Sequence, residues 1–114
     1  MLSFKNLIKN YTKDDVKFTR HARIKLKQMP FDQKFVVKRL FDVKKLIYEE
    51  FQKNRKTYKL IYKHSGRYSM VIVVSLTPKF IKIVTVYKTS KKLQKLIKRR
   101  GVIHIIKVFK MNNT

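Results

Sequence analysis

The chain has 114 residues, enough for one domain with a single core and too few for two. Apolar residues make up 44% of it, so it should fold, and the absence of cysteine excludes disulfide staples, thiol catalysis, thiolate zinc sites and iron–sulfur clusters. Thirty Lys and Arg face six Asp and Glu, a formal net charge of +24 that opposes compaction and implies a polyanionic partner: nucleic acid, an anionic membrane or an acidic protein.

The first predicted element is a short amphipathic helix. Phe4, Leu7, Ile8 and Tyr11 fall at i, i+3, i+4 and i+7, with Ser3 as a cap and Lys5 and Lys9 on the other side. One such stripe is weak membrane anchorage, so the helix is expected to dock on the core. Thr19 caps a second helix running to Met29, with Ala22, Leu26 and Met29 inward. Pro30 ends it, because the residue before proline avoids helical geometry. Asp32 caps a third helix to about Phe41, flanked by Phe31 and Val36 at the positions of a hydrophobic staple.

From Lys44 the pattern changes to strands. One is expected around Lys45 to Phe51, and a clearer one where Tyr58, Leu60, Tyr62 and His64 alternate with Thr57, Lys59, Ile61 and Lys63. Ser65-Gly66 makes a turn into Arg67–Leu76, whose Val-Ile-Val-Val centre should be buried on both faces. Thr77-Pro78-Lys79 turns into the strand Phe80–Lys88. Ser90 then caps a basic helix closed by Gly101, with Leu93, Leu96 and Ile97 inward, and Val102–Phe109 reads as a final strand.

These elements predict one α+β domain over residues 1–114. N-terminal helices pack on an antiparallel sheet of about four strands, with the core at about residues 16–90. The basic helix and strand occupy residues 90–110. The longest uncharged apolar run, Met70–Val74, is far short of the roughly 20 residues a spanning helix needs. Charge interrupts Met1–Lys9 before any signal-peptide core, so a soluble, cytoplasmic protein with no membrane partner is expected.

Metal chemistry is poorly supplied. His21, His64 and His104 are far apart, carboxylates are few, and Asp14-Asp15 and Glu49-Glu50 are sequence neighbours that usually point apart. Two glycines cannot build a phosphate-cradling loop. No metal site and no cofactor are expected. What remains is Lys, Arg, His and Tyr, a set suited to RNA cleavage without metal. A base takes the ribose 2′-OH proton, the oxygen attacks the neighbouring phosphate, an acid protonates the leaving 5′-oxygen, and cations stabilise the transition state. Tyr58, Tyr62 and Tyr68 sit among Lys56, Lys59, Lys63 and Arg67, where rings can stack on bases or simply pack in the sheet. With Lys88, Lys91, Lys92, Lys95, Lys98, Arg99 and Arg100, these lysines form the candidate nucleic-acid-binding set.

The segment Thr19-Arg20-His21-Ala22-Arg23-Ile24-Lys25-Leu26-Lys27-Gln28-Met29-Pro30-Phe31-Asp32 resembles the opening of the DUF4258 and BrnT-like proteins. Val84-Thr85-Val86-Tyr87 is similar to their closing strand, and Arg67-Tyr68 to the start of a middle strand. The resemblance covers roughly residues 16 to 90. It implies a RelE-like fold of the RelE/ParE-like toxin group, endoribonuclease activity with or without the ribosome, and neutralisation by an acidic antitoxin protein. It also implies a catalytic set of His21, Lys25, Arg67, Thr85 and Tyr87. Met29-Pro30 stands where the family often has Arg-Gly, so one cation of the usual set is missing.

Three readings remain: a metal-independent ribonuclease of toxin type, a non-catalytic protein that binds RNA or DNA, and a basic module for an acidic protein partner. The first two share a test. If about six phosphates are contacted, log K should fall against log salt with a slope of about −5 on duplex DNA and about −4 on single strands. Titrations at several salt concentrations check this, and a flat response would exclude phosphate binding.

Overall fold

The helices begin where short polar side chains can satisfy their first amide groups. In the computed structural model, which describes residues 3–89, α1 (Phe4–Leu7) opens with Ser3 Oγ accepting from the Asn6 amide. α2 (Arg20–Lys27) opens with Thr19 accepting from Ala22, and α3 (Gln33–Phe41) with Asp32 accepting from Phe35 at 2.8 Å. Ala22 and Leu26 lie one helical turn apart, as do Val36 and Leu40, and each pair faces the core. A single 3-10 turn carries α1 on through Ile8–Asn10.

Five strands form one mixed sheet in the order β1-β5-β4-β3-β2. They are β1 (Val16–Phe18), β2 (Leu46–Gln52), β3 (Thr57–Lys63), β4 (Ser69–Leu76) and β5 (Ile81–Thr89). The antiparallel meander from β2 to β5 follows the expected succession of strands and turns. The sheet is nevertheless not all-antiparallel: Val16–Phe18 pairs in parallel with Ile81–Ile83 and adds a fifth strand. Three residues are too few to show a period, and β1 exists because β5 offers it an edge. The expected basic helix from Ser90 and the strand Val102–Phe109 lie outside the described residues.

All three helices pack on one face of the sheet. Phe4, Ile8, Ala22, Leu26, Phe31, Val36 and Leu40 meet Leu60, Tyr62, Met70, Ile72, Ile81, Ile83 and Val86 there. The polar ends of this layer are tied down as well. Tyr62 donates its buried hydroxyl to the Leu40 carbonyl at 2.8 Å, fixing the end of α3 to the middle of the sheet. Tyr11 donates to the Thr77 carbonyl, and the Phe4 amide donates to Glu49 at 2.7 Å.

The second face carries a smaller cluster made of strand residues alone: Tyr48, Ile61 and Val71, with Ile47, Val73 and Tyr87 against them. Two β-bulges create it. Leu46 pairs with Tyr62 and Tyr48 with Ile61, so Ile47 is an extra residue in β2. Thr85 pairs with Val73 and Ile83 with Val74, so Val84 is extra in β5. Each insertion reverses the alternation that follows it. Without Val84, Thr85 and Tyr87 would share the helix-covered face with Ile81 and Ile83.

Among the described residues, no helix is long and apolar enough to cross a membrane. Ile72, fully buried at the centre of β4, should be a sensitive position. Ile72→Ala should cost about 2–5 kcal/mol and Asp32→Ala, which removes one cap, about 1 kcal/mol. Chemical denaturation of both variants checks the ranking.

Candidate functional site

The bulged second face assembles a polar cleft at the β2–β3 hairpin end. Register places Glu50, Lys59, Val73 and Thr85 in one row across four strands, and Tyr48, Ile61, Val71 and Tyr87 in the next. A cavity of about 610 Å³ lies over these rows, lined by Glu50, Lys59, Thr85 and Tyr87 with Gln52, Arg55 and Thr57 at the hairpin. Lys59, Thr85 and Tyr87, read from separate segments of the sequence, therefore share one site.

Glu50 is the charge that organises this cleft. Its field acts on Tyr48, Lys59 and Tyr87 alike. Lys59 is only 7% exposed. Burial pulls its ammonium below the usual lysine range, against the opposing pull of Glu50. Burial, then Glu50, pushes the Tyr87 phenol up, so it is a neutral hydrogen-bond donor at physiological pH. A carboxylate, a desolvated cation and a neutral phenol can together hold and protonate a phosphate ester.

Glu50 directly follows Glu49, and sequence neighbours on a strand point to opposite faces. The two do point apart: Glu49 turns to the helix side and accepts from Phe4, and Glu50 turns to the cleft. Strand alternation from Glu49 onward could have shown this.

The hairpin tip beside the cleft is cationic, with Lys53, Arg55 and Lys56 all exposed. Lys56 adopts φ 53°, a left-handed conformation that glycine takes without strain. A lysine is held there at a conformational cost, which keeps one more cation at the tip.

The other resemblance residues are dispersed. Thr19 binds α2 to β5 through the Ile83 and Val84 carbonyls, so His21 and Lys25 sit on a helix flanking the strand. His21 is exposed and is not among the residues lining the cleft. Arg67 is exposed in the β3–β4 turn at the opposite end of the sheet. Thr85 and Thr89 are four positions apart along β5, roughly 13 Å at the rise of a strand, and Arg67 lies beyond Ser69, the partner of Thr89. Lys63 and Lys88 are exposed near that same end. Lys91, Lys92, Lys95, Lys98, Arg99 and Arg100 lie outside the described residues.

At this opposite end His64 stands edge-on to Phe31, ring centroids 4.9 Å apart, and to Phe35 at 6.0 Å. Burial holds its imidazole below the ordinary histidine range, helped by Arg39, Lys88 and Lys45. Cations also gather elsewhere. Arg20, Arg23 and Lys27 line a groove on α2 beside the exposed Ile24, and Lys17 and Lys82 are register partners on adjacent strands.

No family model, no curated protein and no solved structure matches the chain. Among the described residues, no group of His, Asp and Glu could hold a metal ion.

The His64 environment predicts acid sensitivity. Its folded pKa lies below the unfolded value of about 6.5, so the unfolded chain binds the proton more readily. This contribution to stability is complete above the unfolded pKa and is lost as pH falls through the folded one. Melting temperatures measured from pH 7.5 to 5 should decline, and His64→Asn should flatten the decline.

Proposed function

We propose that the protein binds RNA and cleaves it without a metal, as a ribonuclease of the toxin type that its Thr19–Asp32 and Val84–Tyr87 segments resemble. The observation that carries this reading is the Glu50–Lys59 pair beside Tyr87 in the cleft, under a cationic hairpin. In this mechanism Glu50 takes the proton of a ribose 2′-OH, and the 2′-oxygen attacks the adjacent phosphorus. The P–O5′ bond breaks, and the leaving oxygen takes a proton from Lys59, whose lowered pKa suits proton donation. Tyr87 donates a hydrogen bond to a phosphoryl oxygen and Arg55 holds the phosphate by two-point contact. The products are a 2′,3′-cyclic phosphate and a 5′-OH, and DNA, lacking the 2′-OH, is not cut. His21, Lys25 and Arg67 would contact the substrate on either side of this centre. Function inside a RelE-like fold, on the ribosome and under an antitoxin belongs to the same proposal.

A second reading, non-catalytic nucleic-acid binding, is favoured by one separate observation. Lys17 and Lys82 lie side by side, a like-charge pairing that destabilises the free sheet and is relieved by a bound polyanion.

Incubation of the protein with labelled RNA in EDTA, with and without ribosomes, separates the two. The ribonuclease should leave cyclic phosphate ends. Glu50→Gln and Lys59→Met should each lose at least about a hundredfold in cleavage while still binding RNA. Binding without any cleavage by the wild-type protein would leave the second reading.

A further inference from the structure

The end of the sheet remote from the cleft carries its own cluster of chemistry. Arg39 of α3 is only 9% exposed, its guanidinium lies 5.3 Å over the Phe35 ring, and its Nε has no hydrogen-bond partner among the described residues. Its ion pair is a 3.7 Å contact to Asp42, a carboxylate that also faces Lys45 at 3.9 Å. Lys88 of β5 approaches from the other side, with its Nζ 5.0 Å over the Tyr68 ring. His64 sits in the field of all three cations, and its Nδ1 is buried without a hydrogen-bond partner among the described residues.

A buried guanidinium held by one long, shared ion pair is poorly compensated. Arg39 and Lys45 share the Asp42 carboxylate and Lys88 adds a third cation facing His64, so positive charge exceeds negative by two in this cluster. A terminal phosphate carries between about −1.5 and −2 at neutral pH, whereas an internal phosphodiester carries a single charge. Arg39 offers a planar fork suited to a phosphate, Lys45 and Lys88 are mobile point charges, and imidazole can donate one further hydrogen bond.

We infer that Arg39, Lys45, His64 and Lys88 form a binding site for a phosphate monoester, and that its occupant is the terminal phosphate of an RNA strand. This assignment rests on the RNA-binding reading above but not on cleavage. The groups facing His64 are Arg39 from α3, Lys45 from the turn before β2 and Lys88 from β5, with Tyr68 across its own turn. A dianion among them cancels the excess positive charge, so its binding raises the pKa of His64.

The test uses the full chain and three probes: a 5′-phosphorylated oligoribonucleotide, the same oligonucleotide with a 5′-OH, and inorganic phosphate. The phosphorylated strand should bind roughly tenfold more tightly than its 5′-OH twin, a preference of about 1.4 kcal/mol. It should also move the His64 ring resonances to a higher titration midpoint, the signal being assigned with His64→Asn. Arg39→Gln should abolish the preference. Because Arg39 is buried, Lys88→Met is the companion variant; Lys88 is exposed, and its loss should weaken the preference several-fold with the fold intact. Glu50→Gln, which removes the cleft's base, should leave the preference unchanged, so failure of cleavage and failure of this site are distinguishable. Equal affinity for the two ends with an unmoved His64 would overturn the site. A His64 response to inorganic phosphate without any end preference would overturn RNA as its source.

Discussion

Carboxylate scarcity is the constraint on which this fold depends. Six acids must serve a chain with thirty cations, and nearly every one has a structural task. Asp15 accepts from the Thr12 amide at 2.7 Å and Asp32 starts α3. Asp42 holds Arg39 and Lys45, Glu49 anchors the first helix through the Phe4 amide, and Glu50 sets the field of the cleft. Little negative charge is left to neutralise the exposed lysines. Cohesion therefore comes from apolar burial across one helix–sheet layer, and the cationic surface stays available to an external anion.

The two bulges turn that economical fold into one with a site. A strictly alternating β5 would bury Tyr87 under the helices beside Ile81 and Ile83. The extra residue Val84 sends Thr85 and Tyr87 to the other face, and Ile47 does the same for Tyr48. Each bulge spoils a local stretch of pairing, and in return both tyrosines face the side of the sheet that carries Glu50. Lys59 reaches the same place from β3 by ordinary alternation, as the register partner of both Glu50 and Val73. The cleft is thus made by two departures from regular pairing, in β2 and β5, placed either side of two regular strands, β3 and β4.

This explains what the sequence could and could not reveal. The helix starts at Ser3, Thr19 and Asp32 were legible because capping is local and residue-specific. The strands β2 to β5 were legible because each runs for seven to nine residues, alternating in β3 and continuously apolar at the centre of β4. β1 was not, since its three residues are defined by a partner more than sixty positions away. Bulges leave no compositional mark either, so the shared face of Tyr48 and Tyr87 could not be read. The dispersion of His21 and Arg67 has the same origin. Strand register, set by long-range pairing, decides which end of the sheet a residue occupies.

Competing electrostatic effects decide what the tyrosines can do. A chain with so large an excess of cations should favour phenolate, since nearby positive charge stabilises the ionised form. The opposite holds for Tyr48, Tyr58, Tyr62 and Tyr87, all of which are pushed above the usual phenol range. Burial is the largest cause in each case, and a carboxylate adds to it: Glu50 for Tyr48 and Tyr87, Glu49 for Tyr58 and Tyr62. Most of the lysines stay in water, where screening weakens them, whereas these few carboxylates lie close to the phenols in a drier setting. Tyr62 is thereby held as a donor to the Leu40 carbonyl, a bond that a phenolate would break. Tyr87 is held as a donor facing the cleft. The pairing that keeps the fold intact and the pairing that equips the site are one solution to the same problem: keeping a proton on oxygen inside a strongly positive molecule.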